Sequence, residues 1–443
     1  MKISVVGCGY LGAVHAAALA FLGHDVVGLD TDAGKVALLA RGESPFHEPG
    51  LPALLADGHR SGRLSFTADP GSLAGAQVHF ICVGTPQAKT GSDADLGQLR
   101  QAVAALRRHL APGSLVVGKS TVPVGTAAAV ESLLAGTGAA LAWNPEFLRQ
   151  GTAVADSLAP DRIVYGLPQG EGRELAEAML DAVYAPLLER GTPRVATNYA
   201  TAELIKVAAN AFLALKLSYL NAVGEFCEQA GADVVQLSEA LGHDARIGGR
   251  YLQAGVGFGG GCLPKDLRSF RAQAQERGVE SLDELLSLVD GINADARYRA
   301  AETAVRMCGG QVAGRHITVL GAAFKPHTDD TRDSPALDIA LQLAAQGARV
   351  TVCDPQAAGQ AWLQHPQLAF QADTLEALRG AELTMLLTEW PEFTALDPAE
   401  VAGVVARASI LDGRNALDAH AWRAAGWDYC GIGRQLGAAR AAA

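Results

Sequence analysis

The densest chemistry in the chain lies in Gly257-Phe258-Gly259-Gly260-Gly261-Cys262-Leu263-Pro264-Lys265-Asp266. Its four glycines strip away side chains, so a ligand could approach bare backbone there. Cys262 ends the glycine run, and Lys265 and Asp266 follow a proline that fixes the local backbone. A cation beside a thiol favours the thiolate, the nucleophilic form, and a nearby carboxylate could hold or deprotonate a water. The stretch alone also fits a glycine-rich turn around a buried structural cysteine. A second pair, Lys206 and Asn210, stands at i and i+4 in a helical pattern from about Asn198 to Gln229, so both share a face. An ammonium and an amide there could be aimed at one oxygen, or simply be solvated.

Such groups need a scaffold, and the N-terminus supplies the first. Lys2 to Val6 reads as a strand, followed at once by Gly7-Cys8-Gly9-Tyr10-Leu11-Gly12, an alanine-rich helix and a second strand from Asp25 to Leu29. Asp30 closes that strand, about 20 residues beyond the glycines, where an acid meets the ribose hydroxyls of a dinucleotide. The glycine turn and helix N-terminus suit a pyrophosphate, and Asp30 favours NAD over NADP because a 2′-phosphate would meet a carboxylate. Lys35 could sit near the same ribose or be an ordinary helix lysine. Three later β runs end in polar loops: Gly84-Thr85-Pro86, Lys119 to Thr126, and Asn144 to Gly151. Each is compatible with plain turn chemistry, but in a doubly wound sheet all three converge on one edge.

A second α/β unit begins near Arg315, with strands at His316–Leu320, 348–353, 383–388 and 408–411. It lacks the glycine signature, so a second dinucleotide is not expected. Its loop from Ala323 to Asp333 carries Lys325 and Arg332 at a strand end, where phosphates would fit. The bulk numbers set outer limits. At 443 residues the chain can hold two or three domains, and a net charge of −11 argues against general nucleic-acid binding. The seven cysteines form no CxxC pair and no metal-ligand spacing, which fits a reducing compartment and no metal. The strand-like start at Lys2 is unlike a secretory leader, and Lys206, Lys216 and Glu225 interrupt the most apolar helix, so a cytoplasmic protein without a membrane span is expected. The alanine-rich end, Ala438 to Ala443, is expected to fray.

Taken together, the glycine turn, Val83-Gly84-Thr85-Pro86, Ser120-Thr121-Val122-Pro123-Val124-Gly125-Thr126, Asn144-Pro145-Glu146-Phe147-Leu148, the helix with Lys206 and Asn210, the Cys262 loop and Thr331-Arg332-Asp333-Ser334-Pro335 resemble the nucleotide-sugar 6-dehydrogenases of the UDP-glucose/GDP-mannose dehydrogenase family. The likeness runs in order from Gly7 to about Arg414. It implies an α/β protein with an N-terminal Rossmann NAD domain (1–195), a long central helix in a dimerisation region (196–300) and a C-terminal Rossmann-like UDP-sugar domain (301–443). The implied reaction is the NAD-dependent four-electron oxidation of UDP-glucose to UDP-glucuronate through a Cys262 thiohemiacetal and thioester. The resemblance further implies that Lys206 and Asn210 stabilise the oxyanion, Asp266 handles the hydrolytic water, and Thr121 and Glu146 join that network. Gly7, Gly9, Tyr10, Leu11, Gly12, Asp30, Lys35, Thr85, Thr121, Gln150, Lys265 and Arg332 would hold NAD. Glu146, Phe147, Leu148, Arg149, Gln150, Lys206, Asn210, Tyr251, Leu252, Gln253, Ala254, Gly255, Gly259, Lys325 and Arg414 would hold the UDP-sugar. Arg246 would act in the site of the other subunit of a homodimer.

The chain departs from the pattern in places. Gln150 stands where glutamate is common, and Gly261 and Leu263 where serine and phenylalanine are usual. Cys262-Leu263-Pro264-Lys265-Asp266 is also the form of the GDP-mannose branch, whereas Arg246-Ile247-Gly248 looks like the UDP-glucose branch. GDP-mannose or a UDP-N-acetylhexosamine is therefore the alternative substrate. A catalytically silent nucleotide-sugar sensor would be expected to lack Cys262, Lys206 or Asp266, and all three are present.

Overall fold

The protein, described as a computed structural model, is placed over residues 1–88 and 94–434, so the alanine-rich end lies outside the described residues. It divides into two compact units, one of residues 1–209 with 272–278 and one of 210–271 with 279–443.

The first unit is built on an eight-stranded sheet: β1 (Lys2–Val6), β2 (Asp25–Leu29), β3 (Leu64–Thr67), β4 (Val78–Ile81), β5 (Leu115–Gly118), β6 (Ala140–Trp143), β7 (Ile163–Leu167) and β8 (Arg194–Asn198). The spatial order is β3-β2-β1-β4-β5-β6-β7-β8. Pairing is parallel throughout except between β6 and β7, which meet antiparallel at Trp143 and Gly166. Strands β4 and β5 are buried along their whole length, as strands covered by helices on both faces must be. The chain reverses direction of winding between β1 and β4, which opens a crevice at their carboxyl ends. Gly7 sits there at φ +88°, and any side chain on it would strike Val83 beyond β4.

The second unit repeats the plan with six parallel strands: β9 (His316–Leu320), β10 (Arg349–Cys353), β11 (Ala369–Phe370), β12 (Leu383–Leu386), β13 (Ser409–Asp412) and β14 (Asp428–Gly431), in the order β11-β10-β9-β12-β13-β14. The switch lies between β9 and β12. The helix Pro335–Ala345 opens as the sequence suggests, with the Ser334 hydroxyl accepting from the Leu337 N–H and proline in the first turn.

The helix expected from about Asn198 to Gln229 is continuous from Tyr199 to Ala230. Strands β3, β7, β8, β11 and β14 have no counterpart in the sequence reading. Four of the five are sheet edges, and β8, with no buried residue, lacks the apolar run that marks a central strand. Among the described residues, no helix is long and apolar enough to cross a membrane, and no cluster of His, Cys, Asp and Glu is placed to hold a metal ion.

Candidate active site

At the first switch point the turn after β1 is held by its own strand-end acid. Asp30 accepts from the N–H of Cys8 at 2.8 Å and of Asp32 at 2.9 Å, and Lys35 Nζ stands 3.3 Å from the same carboxylate. Gly12 is fixed by packing, since a Cβ there would fall 1.8 Å from the Gly7 carbonyl oxygen. Gly9 is different: a Cβ on it would meet nothing within 4 Å. Neither packing nor a positive φ demands glycine at that position, so its bare face suits a group brought from outside, as a dinucleotide pyrophosphate would be. The residues present therefore fit NAD. The Tyr10 hydroxyl donates to Glu48, a carboxylate that also accepts from the N–H of Gly151 (2.7 Å) and Ala153 (2.8 Å). Glu48 is buried and ties the glycine turn to the loop after β6.

The three polar loops do meet along one sheet edge. The Thr85 hydroxyl donates to the Thr121 carbonyl at 2.6 Å, and Ser120 to the Val83 carbonyl at 2.7 Å. Glu146 pairs with Lys206 at 3.0 Å, both largely shielded from water, and its second oxygen accepts from the Leu148 N–H. The Phe147 ring lies beneath the Arg162 guanidinium at 3.8 Å and the Lys206 ammonium at 5.6 Å. Arg149 is drawn aside to Asp156 at 2.5 Å, and Gln150 is half-buried. Two further groups were not anticipated. Glu203, on the same helix as Lys206, accepts from the N–H groups of Gly125 and Ala127 and so caps the helix after Thr121; burial pushes its pKa up against those bonds. Lys119 is buried, with its ammonium 2.8 Å from Asn144 Oδ1. Both act across more than twenty residues, and no local spacing announces them.

In the second unit the cysteine loop is shaped by its neighbours. A Cβ on Gly259 would lie 2.2 Å from the Asp333 carbonyl oxygen, one on Gly260 2.8 Å from the Phe324 ring, and one on Gly261 2.3 Å from Arg332 Cζ. The side-chain space of these three glycines is thus taken by the chain's own segment from Phe324 to Pro335. Arg414 locks the same two segments together, donating to the carbonyls of Gly257 (3.0 Å), Phe324 (3.3 Å) and Leu387 (2.8 Å). Lys325 lies over the Phe324 ring.

Cys262 is exposed, whereas the other six cysteines are buried, which removes the reading of a buried structural thiol. It precedes the helix Leu263–Glu276, whose first turn contains Lys265 and Asp266. Asp266 is buried; Asn210 donates to it at 2.6 Å and Lys265 Nζ lies 2.7 Å from its other oxygen. Tyr251 adopts φ +60°, unusual for an aromatic residue. Leu252 and Ala254 beyond it are buried while Gln253 is exposed, and the Gly255 N–H is held by Asn221 at 2.8 Å. Arg246 stands in solvent, 88% exposed, paired with Asp244.

Comparison with known proteins agrees with this geometry. The chain matches the UDP-glucose/GDP-mannose dehydrogenase family in its NAD binding domain over residues 1–188, its central domain over 200–295 and its UDP binding domain over 318–419. It is 39% identical to UDP-glucose 6-dehydrogenase of Rhizobium meliloti, covering 98% of this chain and all of that one. A UDP-glucose 6-dehydrogenase of Bacillus subtilis is 37% identical, covering 98% and 93%. The structure of a UDP-glucose dehydrogenase from Pyrobaculum islandicum superposes with a TM-score of 0.88 at 37% identity, covering 98% of each chain. A cofactor turn with one open glycine, a second wound sheet and a single exposed cysteine thus have one common explanation: the chain belongs to the UDP-glucose/GDP-mannose dehydrogenase family of NAD-dependent oxidoreductases.

Proposed function

We propose that this chain oxidises UDP-glucose to UDP-glucuronate by four electrons, with Cys262 as the nucleophile. The observation that carries the reading is the exposure of Cys262, alone among seven cysteines, at the start of a helix that also places Asp266. When bound, NAD supplies the hydride acceptor for each two-electron step. The C6 alcohol loses a proton and a hydride to become an aldehyde, to which the Cys262 thiolate adds. The thiohemiacetal loses a second hydride and becomes a thioester, which water cleaves to the carboxylate, returning the thiol. Lys206 and Asn210 stabilise the oxyanion at each tetrahedral stage, and Asp266, Glu146 and Thr121 position the water. Gly7 to Gly12, Asp30, Lys35, Thr85, Thr121, Gln150, Lys265 and Arg332 hold NAD. The sugar nucleotide is held by Glu146 to Gln150, Lys206, Asn210, Tyr251 to Gly255, Gly259, Lys325 and Arg414. The functional division is 1–195 for NAD, 196–300 for dimerisation and 301–443 for the UDP-sugar.

The same reading includes a cytoplasmic homodimer in which Arg246 reaches the other subunit's site. Support comes from the long helix Tyr199–Ala230, where Phe212, Tyr219 and Phe226 recur every seventh residue and are 62%, 55% and 72% exposed. Arg246 itself stands free of its own unit's core.

The test is stoichiometry. Purified protein given NAD and limiting UDP-glucose should form two NADH per sugar, and Cys262→Ala should form none at a measurable rate. Faster turnover of GDP-mannose or UDP-N-acetylmannosamine would reassign the substrate; one NADH per sugar would reject the thioester route. Inactive Arg246→Ala and Cys262→Ala proteins, mixed and re-formed as dimers, should regain activity if Arg246 acts in trans.

A further inference from the structure

Gly261 has a neighbour that its place beside Cys262 makes consequential. The Gly260 N–H donates to the Arg332 carbonyl at 2.9 Å, which fixes the cysteine loop against the turn after β9. From that turn the Arg332 side chain comes back over the loop. Its guanidinium fills the volume a side chain at 261 would need, with Cζ, Nη1 and Nη2 lying 2.3, 2.5 and 2.6 Å from where a Cβ would be. Asp330 holds it in that pose, accepting from Nε at 2.9 Å and from Nη2 at 2.6 Å. Those bonds use one edge of the guanidinium and leave Nη1 over.

We propose that Arg332 activates Cys262, its guanidinium lying over Gly261 so as to stabilise the thiolate before cofactor or sugar binds. The inference rests on Cys262 being the nucleophile, and it gives Arg332 a duty separate from holding NAD. It also accounts for Gly261: a side chain there would push the guanidinium away. The Arg332 pKa is raised first by its bond to Asp330, against burial, and Cys262 acts on it in the same sense as Asp330, so the two groups feel each other. Of the other charges on the segments packed around the loop, Lys265 and Asp266 on the cysteine's own helix pair with one another, Asp333 pairs with Arg297 and Arg268, and Lys325 lies over the Phe324 ring. With Asp330 the arginine forms a neutral pair overall, so its effect comes from orientation at close range.

Alkylation by iodoacetamide, without cofactor or sugar, reads this directly, because Cys262 is the exposed thiol and the six others are buried. The pH midpoint of the alkylation rate should rise by about one unit in Arg332→Gln, with the rate at pH 7 falling about tenfold. Arg332→Lys, which keeps a cation, should recover part of both, and Gly261→Ala, which keeps Arg332 but displaces it, should move the midpoint the same way. Mass mapping must place the label on Cys262. An unchanged midpoint in Arg332→Gln would overturn the proposal. Failure of the nucleophile assignment would show separately, as turnover persisting in Cys262→Ala.

Discussion

The two sheets of this protein have crevices of the same design, yet one is kept open and the other is closed by the chain itself. Each begins with a left-handed glycine after its first strand, Gly7 at φ +88° and Gly321 at +121°, pressed against the segment beyond the strand across the switch: Val83 in one case, Thr388 in the other. In each, an acid ending the second strand or just past it accepts from the N–H groups that follow the glycine. Asp30 takes Cys8; Asp354 takes Ala322 and Ala323. There the likeness stops. Gly9 presents bare backbone to open space, whereas the residues after Gly321 are buried alanines. Asp354 also accepts from the N–H of Gln356 and Ala357 and from the Trp390 indole at 3.1 Å. Topology makes both crevices alike; they differ in that the second acid is buried under five donors and the glycine after its first strand is followed by buried alanines rather than by an open glycine.

The largest expected difference is in stability. Removing the Asp354 carboxylate leaves five donors without an acceptor, at roughly 1–3 kcal/mol for each buried group that water cannot reach. Asp354→Ala should therefore cost about 4 kcal/mol or more in urea unfolding. Asp30→Ala removes the acceptor of two N–H groups and the partner of Lys35, at a carboxylate that is mostly shielded but less so than Asp354. It should cost less, about 2 kcal/mol. Equal losses would break the comparison.

Cofactor choice should show the reverse. On the proposed reading, in which the Asp30 carboxylate meets the ribose hydroxyls and repels a 2′-phosphate, Asp30→Ala should narrow the preference for NAD over NADP by about 100-fold in kcat/KM. A milder change in the second crevice, Trp390→Phe, should leave that ratio where it was. If it moved the ratio comparably, the second crevice would have to be counted as part of cofactor binding.

Much of this was readable from residue order, and the unread part has a common physical cause. The glycine turn, Asp30 and the central strands β1, β2, β4, β5, β6, β9, β10, β12 and β13 centre on apolar runs with local spacing, and they stand where the sequence puts them, whereas β3, β7, β8, β11 and β14 have no counterpart in the sequence reading. The Thr85 and Thr121 loops were expected to meet because consecutive parallel strands end on one edge. What escaped were single side chains acting over long distances: Glu48 capping Gly151 and Ala153, Glu203 capping Gly125 and Ala127, Asn210 committed to Asp266. A carboxylate that caps a distant backbone looks, in sequence, like any solvated acid. The glycines before Cys262 have a second reason that local spacing does not announce. The side-chain space of Gly259, Gly260 and Gly261 is taken by Asp333, Phe324 and Arg332, groups more than sixty residues further along the chain.

The smallest and most discriminating test uses the charges buried at equivalent strand ends. Lys119 follows β5, the neighbour of β4, and Asp412 ends β13, the neighbour of β12. Burial lowers the Lys119 pKa to about 8, with Cys82 and Glu146 opposing and Lys206 assisting. Burial raises that of Asp412, opposed by bonds from the Leu417 N–H and the Tyr429 hydroxyl. Each charge is thus a cost near neutral pH, but relief comes from opposite directions. Between pH 8 and the ordinary lysine value near 10.4, the unfolded chain holds a proton on Lys119 that the folded one has shed, so stability rises with pH across that window. For Asp412 the folded state holds the extra proton, so stability falls as pH climbs above the ordinary carboxylate value. Lys119→Met should remove the alkaline gain: the difference in unfolding free energy from the unmodified protein should change by about 2–3 kcal/mol between pH 7 and 10. Asp412→Asn should be flat over that range and diverge only in acid. A Lys119→Met difference that stays constant to pH 10 would mean that the ammonium is not paying a burial cost, and that the two strand ends differ in sequence but not in electrostatics.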